Sequence, residues 1–563
     1  MDLERPAEED GERLLATETD HEQLPRQIVT LAFLEKQIPA VLISEQLARS
    51  LSAETGASVV LVQLAKEDGA GRIDGEAHPE LFLNGEFHWP ADLVNHDTKF
   101  HSLTLGVRND PPTPRGIASL VSQLRPRFRY VLIGAQIDDP GAPWLSELLG
   151  RSNLAYVFLK PAAEDENRLD LLLRDTRARP GDGGVQVKPV AYLAEGEQVN
   201  GIDLLAQRAA IPVHAFVRGR PAGDGVAEGG QQAAPVRSFR ADLRRLAREI
   251  GGRLVGLALS SGAAKGFAHV GVLQVLEEKG IEVDVVAGAS MGAYVGALWA
   301  HGCDGGELER LSRELEGRWA FWSLIDPVFP PRRGFLRGFA VKNRLMRTVG
   351  HARFGDLKRP LRIVATNLAT LERVVFSSGE VATAVHASAA VPGICVPVVI
   401  DGETYTDGGI VDPLPVDVLR EMGVGRVIAV NVIPTPDRIR YAIEAERQLK
   451  RHDGKRGLRW FRKALPLNRQ VNYFARGNLL EILMRSVHGA QIRMAEASCR
   501  MADLVLRPEI YDDRWLDYRH PGKFIALGRE VAERHLEEIL ELVNRTEMSH
   551  EQKLAPVPVG TLV

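Results

Sequence analysis

The chain has 563 residues, of which 45% are hydrophobic and 26% charged, and its formal net charge at pH 7 is −4. This length exceeds what one ordinary hydrophobic core organises, so we expect at least two domains. The small net charge, without a basic tail, argues against a dedicated nucleic-acid-binding protein. The cysteines Cys303, Cys395 and Cys499 are too widely spaced for a CxxC metal motif or a disulfide framework, and we expect each of them to pack in a core.

The N-terminal residues 1–25 are acidic and aperiodic, which predicts a disordered tail without a secretory signal. Residues 285–303 contain no Asp, Glu, Lys or Arg, and their length alone would admit a membrane span. Glycines interrupt this stretch, however, so a strand, a tight turn and a buried helix explain it better. We expect a cytoplasmic protein, and peripheral contact with the inner membrane is left open.

Strand-like and helix-like segments alternate from residue 26 onward, which predicts a first α/β domain over residues 26–215. A helix ending at Gly56 lies between the first two strands. No GxxxxGK[ST] loop follows any of these strands, so we interpret the domain as a scaffold or regulatory domain and keep nucleotide binding as an outside alternative. Four short apolar runs predict its buried parallel strands, at 28–33, 58–64, 130–134 and 154–159.

Residues 216–238 are rich in Gly, Ala, Gln and Pro and predict a linker. A second alternation of strands and helices follows it, which predicts a second α/β domain with C-terminal helices over residues 239–543 and a polar tail over residues 544–563. Its predicted strands include 254–260, 283–288, 361–368 and 424–433, and its first helices are 266–280 and 290–302.

A GxSxG motif lies between one of these strands and the helix that follows it, with Ser290 at its centre. A serine on a sharp strand-to-helix turn projects its hydroxyl, and the flanking Gly288 and Gly292 prevent clashes at the strained backbone. The helix N-terminus favours negative charge that develops at this serine. Ser290 is therefore the candidate nucleophile, and a plain glycine turn in a doubly wound sheet is the alternative.

Two further loops carry candidate chemistry. In the first, small residues open a helix after a strand, so the backbone N–H groups of Gly262, Ala263 and Ala264 can face an oxyanion, and Lys265 can add positive charge. A structural or phosphate-binding loop is the alternative there. In the second, Asp407 precedes two glycines at the end of a hairpin-like segment, although Asp-Gly-Gly by itself usually forms only a turn.

Together the three segments resemble the patatin-like phospholipase family, which has a glycine-rich oxyanion loop, a GxSxG elbow and a downstream Asp-Gly-Gly or Asp-Gly-Ala, in that order. The resemblance runs from about residue 254 to 508 and includes the segment ASAAVPG at 387–393, similar to the family's ASxxxPG. It implies a three-layer α/β/α catalytic domain. The α/β region ahead of it is similar to that of bacterial neuropathy-target-esterase-like lysophospholipases, but we find no cyclic-nucleotide-binding domain or membrane anchor in this sequence.

The resemblance also implies a chemistry. Ser290 would attack an ester carbonyl, Asp407 would take its proton and later activate water, and the N–H groups from Gly262 to Ala264 would hold the oxyanion. The implied reaction is hydrolysis of phospholipid or lysophospholipid esters without a cofactor or a metal ion. Acyl transfer by the same Ser–Asp dyad and a lipid-sensing protein with a weakened site are the alternatives.

The sequence departs from the family in the oxyanion loop, because the family's GGGGxRG is replaced by SSGAAKG at 260–266. If the loop needs a positive φ at Ser261 or Ala263, each replacement carries about 1 kcal/mol of strain. His269 and His386 are assigned structural roles, because the family's base is the aspartate.

Residues 450–463 hold seven Lys or Arg and one Asp, with Trp460 and Phe461 among them. Basic residues beside an interfacial aromatic pair suit an anionic membrane surface, at about 1 kcal/mol per basic residue. This composition predicts peripheral membrane contact, and a solvated charged loop is the alternative.

Overall fold

The structure is a computed structural model. By its contacts the chain divides into two compact units, Met1–Val190 with Glu547–Val563, and Ala191–Thr546. Three segments named in the sequence analysis lie outside the described residues: 1–25, 450–463 and 545–563. The middle of the predicted linker 216–238 also lies outside them. The first residues of that range belong to a strand and the last to a helix. The structure describes residues 26–65, 71–73, 76–78, 87, 99–106, 112–160, 168–172, 185–194, 213–219, 234–316, 323–435, 440, 444, 479–510 and 517–544.

The first unit is built on a mainly parallel sheet with the strand order β4-β3-β5-β2-β6-β1-β7. Its central strands are apolar runs buried on both faces, as the sequence predicts for parallel strands. Short β3 runs antiparallel to both β4 and β5. The strands are β1 (Gln27–Phe33), β2 (Val59–Ala65), β3 (Gly71–Ile73), β4 (Glu76–His78), β5 (Phe100–Gly106), β6 (Tyr130–Gln136) and β7 (Leu154–Leu159), and the helices are α1 (Ala40–Thr55), α2 (Pro114–Leu124) and α3 (Pro143–Arg151).

The strand β8 (Gln186–Leu193) contains the boundary between the units, and the second unit then continues to residue 546. Its strands are β9 (Ala215–Arg218), β10 (Val255–Leu259), β11 (Val285–Ala289), β12 (Leu361–Asn367), β13 (Arg373–Phe376), β14 (Val398–Ile400), β15 (Glu403–Asp407), β16 (Arg426–Val430) and β17 (Leu504–Leu506). Its helices are α4 (Ala234–Ile250), α5 (Ala268–Glu278), α6 (Met291–His301), α7 (Gly305–Arg313), α8 (Phe339–Val349), α9 (Val381–Ser388), α10 (Val416–Glu421), α11 (Leu479–Cys499), α12 (Pro521–Arg534) and α13 (Leu536–Asn544).

The sheet that contains β10 has the order β14-β15-β12-β11-β10-β16-β17, with β13 paired to β12. The strands from β12 to β17 in this order are parallel, whereas β14, β15 and β13 add antiparallel pairs at one end. This arrangement places the carboxyl ends of β10 and β11 side by side, which is where open α/β sheets build their sites.

Helices cover both faces of this sheet. Successive residues of β10 alternate between two buried clusters: Leu257 and Leu259 belong to one, and Ala258 to the other. The first cluster includes residues of α5, α6 and α12, and the second includes residues of α10 and α11. The expected α/β class with a three-layer α/β/α arrangement is therefore confirmed. Among the described helices, none combines the length and the hydropathy needed to cross a bilayer.

Candidate active site

Ser290 lies on the sharp turn between β11 and α6. Its φ of 53° and ψ of −117° are values that residues with a side chain rarely adopt. The flanking glycines are required by close packing. A Cβ on Gly288 would lie 2.6 Å from the backbone of Gly292, and a Cβ on Gly292 would lie 2.2 Å from the carbonyl oxygen of Leu259. The motif thus holds a strained serine at the N-terminus of α6, where the helix dipole favours negative charge.

A second element holds the strained turn. The N–H of Ser290 donates to the hydroxyl oxygen of Ser388, at 2.8 Å, and Ser388 is fully buried at the end of α9. Nothing in the sequence predicts this role for Ser388, although Ser388 lies in the ASAAVPG segment that contributed to the family resemblance.

We expect Ser388→Ala to lower the free energy of unfolding by about 1–3 kcal/mol, because the buried N–H of Ser290 loses its acceptor. Chemical denaturation measures this change. Ser312→Ala is the matched control, because the Ser312 hydroxyl is also buried but donates to the Leu308 carbonyl within its own helix, so its loss leaves no unpaired N–H. Equal losses in the two variants would contradict the role given to Ser388.

Asp407 ends β15, which runs antiparallel to β12 beside the parallel strands. The N–H of Gly409 donates to its Oδ1 at 2.7 Å. Burial raises the pKa of Asp407 to about 6, while hydrogen bonds from the Ser290 side chain and the Gly409 N–H act to lower it. The structure therefore brings Ser290 and Asp407 together. A buried carboxylate that is hydrogen-bonded to a hydroxyl and titrates near neutral pH is suited to general-base chemistry.

The backbone around Asp407 is fixed on both sides. Its N–H donates to the carbonyl of Ala390 at 3.0 Å, and its carbonyl accepts from the Thr366 hydroxyl at 2.8 Å. In the turn that follows, the N–H of Asp412 donates to the carbonyl of Gly408, and the Asp412 carboxylate pairs with Arg373 at 3.2 Å. The carboxylate of Asp407 is thus held against the serine by a rigid frame.

The predicted oxyanion loop follows β10. Ser260 is anchored by its N–H to Val430 and by its hydroxyl oxygen, which accepts from the N–H of Val432 at 3.0 Å. A 3₁₀ turn then spans Ala263–Phe267, and the first N–H groups of such a turn have no acceptor within it. A Cβ on Gly266 would lie 2.4 Å from the Cγ of Met291, so the turn packs directly against the neighbour of Ser290.

Ala263 has a φ of 50°, whereas Ser261 is not among the residues with a positive φ. Of the two loop positions for which backbone strain was expected, only Ala263 carries it. We expect Ala263→Gly to raise the free energy of unfolding by about 1 kcal/mol, because glycine adopts this conformation without the Cβ penalty. Ala264→Gly, one residue further along, is the control and is expected to destabilise. Thermal and chemical unfolding compare the two, and no gain from Ala263→Gly would contradict the strain.

The two histidines do not act on the serine. The Nε2 of His269 bonds the carbonyl of Ser260 at 2.9 Å, and burial lowers the pKa of His269 to about 4, so its ring is neutral and holds the oxyanion loop. The Nε2 of His386 bonds the Arg337 carbonyl at 3.2 Å. Both bonds are structural, which is the role that the sequence indicated for each histidine.

Residues that the sequence did not single out also reach the site. Burial is the main cause that raises the pKa of the Tyr518 hydroxyl, and the charges of the nearby Cys395 and Asp407 raise it further. The Nε2 of Gln491 lies 3.0 Å from the position of a Cβ on Gly409, so α11 packs over the Asp-Gly-Gly turn. Only the tertiary structure brings these residues to the site, because no motif surrounds them.

Among the described residues, no group of three or more His, Cys, Asp or Glu side chains is arranged to hold a metal ion. Cys303 and Cys499 are buried, as expected, whereas Cys395 is only partly buried, and all three are free thiols. The partial exposure of Cys395 follows from its place in the loop that leads to the edge strand β14.

This fold and site define an α/β domain with a serine elbow of the kind used by acyl hydrolases. Residues 257–420 match the family model of the patatin-like phospholipases, so this part of the chain is a patatin-like domain and the family resemblance is confirmed.

Two curated relatives are fungal. Lysophospholipase NTE1 of Pyricularia oryzae is 33% identical over 200 residues, which cover 35% of this chain and 13% of the relative. Lysophospholipase NTE1 of Saccharomyces cerevisiae is 28% identical over 315 residues, which cover 55% of this chain and 18% of the relative. The matched part is thus less than a fifth of each relative. The solved structure of VipD from Legionella pneumophila aligns with a TM-score of 0.29 and 17% identity over 51% of this chain and 67% of VipD, a likeness too low to support a conclusion.

Proposed function

We propose that this protein is a serine hydrolase of carboxylic esters in phospholipids or lysophospholipids, with Ser290 as nucleophile and Asp407 as base. The observation that carries the proposal is the buried Asp407 carboxylate, hydrogen-bonded to a serine on a strained elbow. The patatin-like domain and the lysophospholipase relatives support the choice of a lipid ester as substrate.

In the acylation step, the Ser290 oxygen attacks the ester carbonyl while Asp407 accepts the serine proton. The negative charge that forms on the carbonyl oxygen is stabilised by the N–H groups of Gly262, Ala263 and Ala264 and by the N-terminus of α6. Collapse of the tetrahedral intermediate breaks the ester C–O bond, and the proton held by Asp407 passes to the leaving alcohol.

In the deacylation step, Asp407 takes a proton from a water molecule that attacks the acyl-serine carbonyl. The bond between the acyl carbon and the Ser290 oxygen then breaks, Asp407 returns the proton to that oxygen, and the free fatty acid leaves. The oxyanion donors act again at the same position. Lys265 adds positive charge within this loop. Burial is the main cause that lowers the pKa of His488 on α11, and the charge of Lys265 adds to it.

The test is release of fatty acid from lysophosphatidylcholine and of p-nitrophenol from a short-chain ester, with Ser290→Ala as the blank. Turnover of both substrates by the wild-type protein, and not by the variant, supports the proposal. An added lipid alcohol distinguishes acyl transfer, because an acyltransferase would form a new ester instead of free acid.

The positive φ of Ala263 favours one second candidate, a lipid-sensing protein with a weakened oxyanion loop. It predicts that lipid binds but is not turned over, whereas the hydrolase proposal predicts turnover.

A cytoplasmic location with peripheral membrane contact through residues 450–463 is also proposed. Unchanged liposome binding after charge reversal of Arg456, Arg459 and Arg462 would contradict that contact.

A further inference from the structure

A large aromatic side chain stands almost entirely in solvent on the patatin-like domain. Phe329 is 96% exposed at the tip of a loop that spans residues 326–337, hereafter the Phe329 hairpin. Pro330 and Pro331 follow Phe329, and the next two residues, Arg332 and Arg333, are also exposed. An isolated exposed apolar residue needs no explanation, but a full aromatic ring beside two arginines at a loop tip is typical of an interfacial contact.

The hairpin is a built element and not a loose loop. The N–H of Val328 donates to the Phe335 carbonyl at 2.8 Å, and the N–H of Arg337 donates to the Asp326 carbonyl at 2.9 Å. The Asp326 carboxylate accepts from the N–H groups of Gly338 and Ala340, both at 3.0 Å, and so ties the base of the hairpin to the start of α8. The exposed tip is therefore presented by a fixed frame.

The base of the hairpin adjoins the candidate active site. The N–H groups of Phe335 and Leu336 donate to the Ile394 carbonyl, and the N–H of Val396 donates to the Leu336 carbonyl. The N–H of Cys395, between these two anchors, donates to the carbonyl of Val391, and the neighbouring carbonyl of Ala390 accepts from the N–H of Asp407 at 3.0 Å. A surface held by the hairpin is thus held close to Asp407.

The charge of the hairpin tip indicates what kind of surface it would contact. Arg332, Arg333 and Arg337 are exposed, and Arg332 and Arg333 have no ion-pair partner within the described parts of the chain. The one acidic residue of the hairpin, Asp326, is taken up by backbone N–H groups at its base. Two unpaired cations beside an apolar tip complement an anionic bilayer, with phosphates at the surface and acyl chains below.

We propose that the Phe329 hairpin inserts Phe329 into anionic lipid bilayers and seats the active-site face of the domain on the membrane. This inference rests on the proposed lipid hydrolysis and names the surface from which the substrate is taken. Asp401 and Glu403 are exposed at the turn between β14 and β15, and their negative charges disfavour contact of this turn with an anionic surface, which leaves the contact to the hairpin.

The test uses the full chain carrying Ser290→Ala, which prevents lipid turnover, and vesicles of phosphatidylcholine with or without phosphatidylglycerol. We expect Phe329→Ser to weaken binding to the anionic vesicles about tenfold, since a phenyl ring leaves the apolar phase. Arg333→Glu is expected to weaken it about fivefold at low salt. The controls are Met501→Ser and Arg500→Glu, which change exposed residues just before β17, at the edge of the sheet opposite β14, and are expected to bind unchanged.

Insertion is measured directly with Phe329→Trp and Met501→Trp in vesicles of brominated lipid. Only Phe329→Trp is expected to add quenching over the background of the native tryptophans. Unaltered vesicle binding by Phe329→Ser, or no added quenching, would overturn the inference. So would a Phe329→Ser variant that changes only the oligomeric state, because the hairpin would then join copies of the chain.

The inference and the proposed function fail separately. Phe329→Ser without the Ser290 change is expected to keep wild-type hydrolysis of a soluble short-chain ester and to lose activity on vesicles. An inert wild-type protein that still inserts Phe329 would contradict the hydrolase proposal and leave the membrane contact standing.

Discussion

Ser290→Ala is expected to lower kcat for ester hydrolysis by at least about 10⁴-fold, because the acyl-enzyme can no longer form. The fold should persist, since alanine and serine meet a similar penalty at a φ of 53° and the N–H that bonds Ser388 is kept. The measurement is fatty acid release from lysophosphatidylcholine, together with thermal unfolding.

Ser312→Ala controls for the loss of a buried hydroxyl and should keep full activity, because the Ser312 hydroxyl donates to the Leu308 carbonyl within its own helix. Retention of substantial hydrolysis by a folded Ser290→Ala variant would show that another residue is the nucleophile.

Asp407→Asn is expected to lower kcat by about 10⁴-fold, because an amide cannot accept the serine proton. The amide oxygen can still accept from the N–H of Gly409, so the turn should be kept. The pH dependence gives the second readout. The base must be ionised, and its pKa is raised to about 6, so wild-type kcat/KM should rise with pH up to about 6 and level off above it.

The residual activity of Asp407→Asn should lack this rise. His269 cannot cause a rise in activity near pH 6, because burial lowers the pKa of its ring to about 4. A titration near pH 6 that persists in Asp407→Asn would assign the base to another group and would contradict the role proposed for Asp407.

Much of this site could be predicted from sequence because its chemistry is local. A buried strand, a GxSxG turn and a helix define the elbow at Ser290. The motif requires glycine at positions 288 and 292 because a Cβ at either position would clash with neighbouring backbone atoms. The apolar runs predicted as strands are strands because nearly all of their residues are buried on both faces of a sheet.

The remaining features depend on contacts between distant segments. Ser388 bonds Ser290 across 98 positions of sequence, and Gln491 reaches Gly409 from a helix that carries no motif. The exposure of Phe329 could not be predicted from the sequence either, because Val328, Phe329 and Phe335 are apolar residues of the kind found in cores. Only the folded hairpin shows that Phe329 points into solvent. The choice between Ser261 and Ala263 as the strained residue also required backbone angles.

The central claim is that Asp407 activates Ser290, and the most direct measurement is covalent labelling of the folded protein by a fluorophosphonate, with the modified serine located by mass spectrometry. We predict a single label on Ser290, formed faster as the pH rises through about 6 and nearly lost in Asp407→Asn. An unlabelled wild-type protein, a label on another serine such as Ser388, or equal labelling of Asp407→Asn would contradict the account.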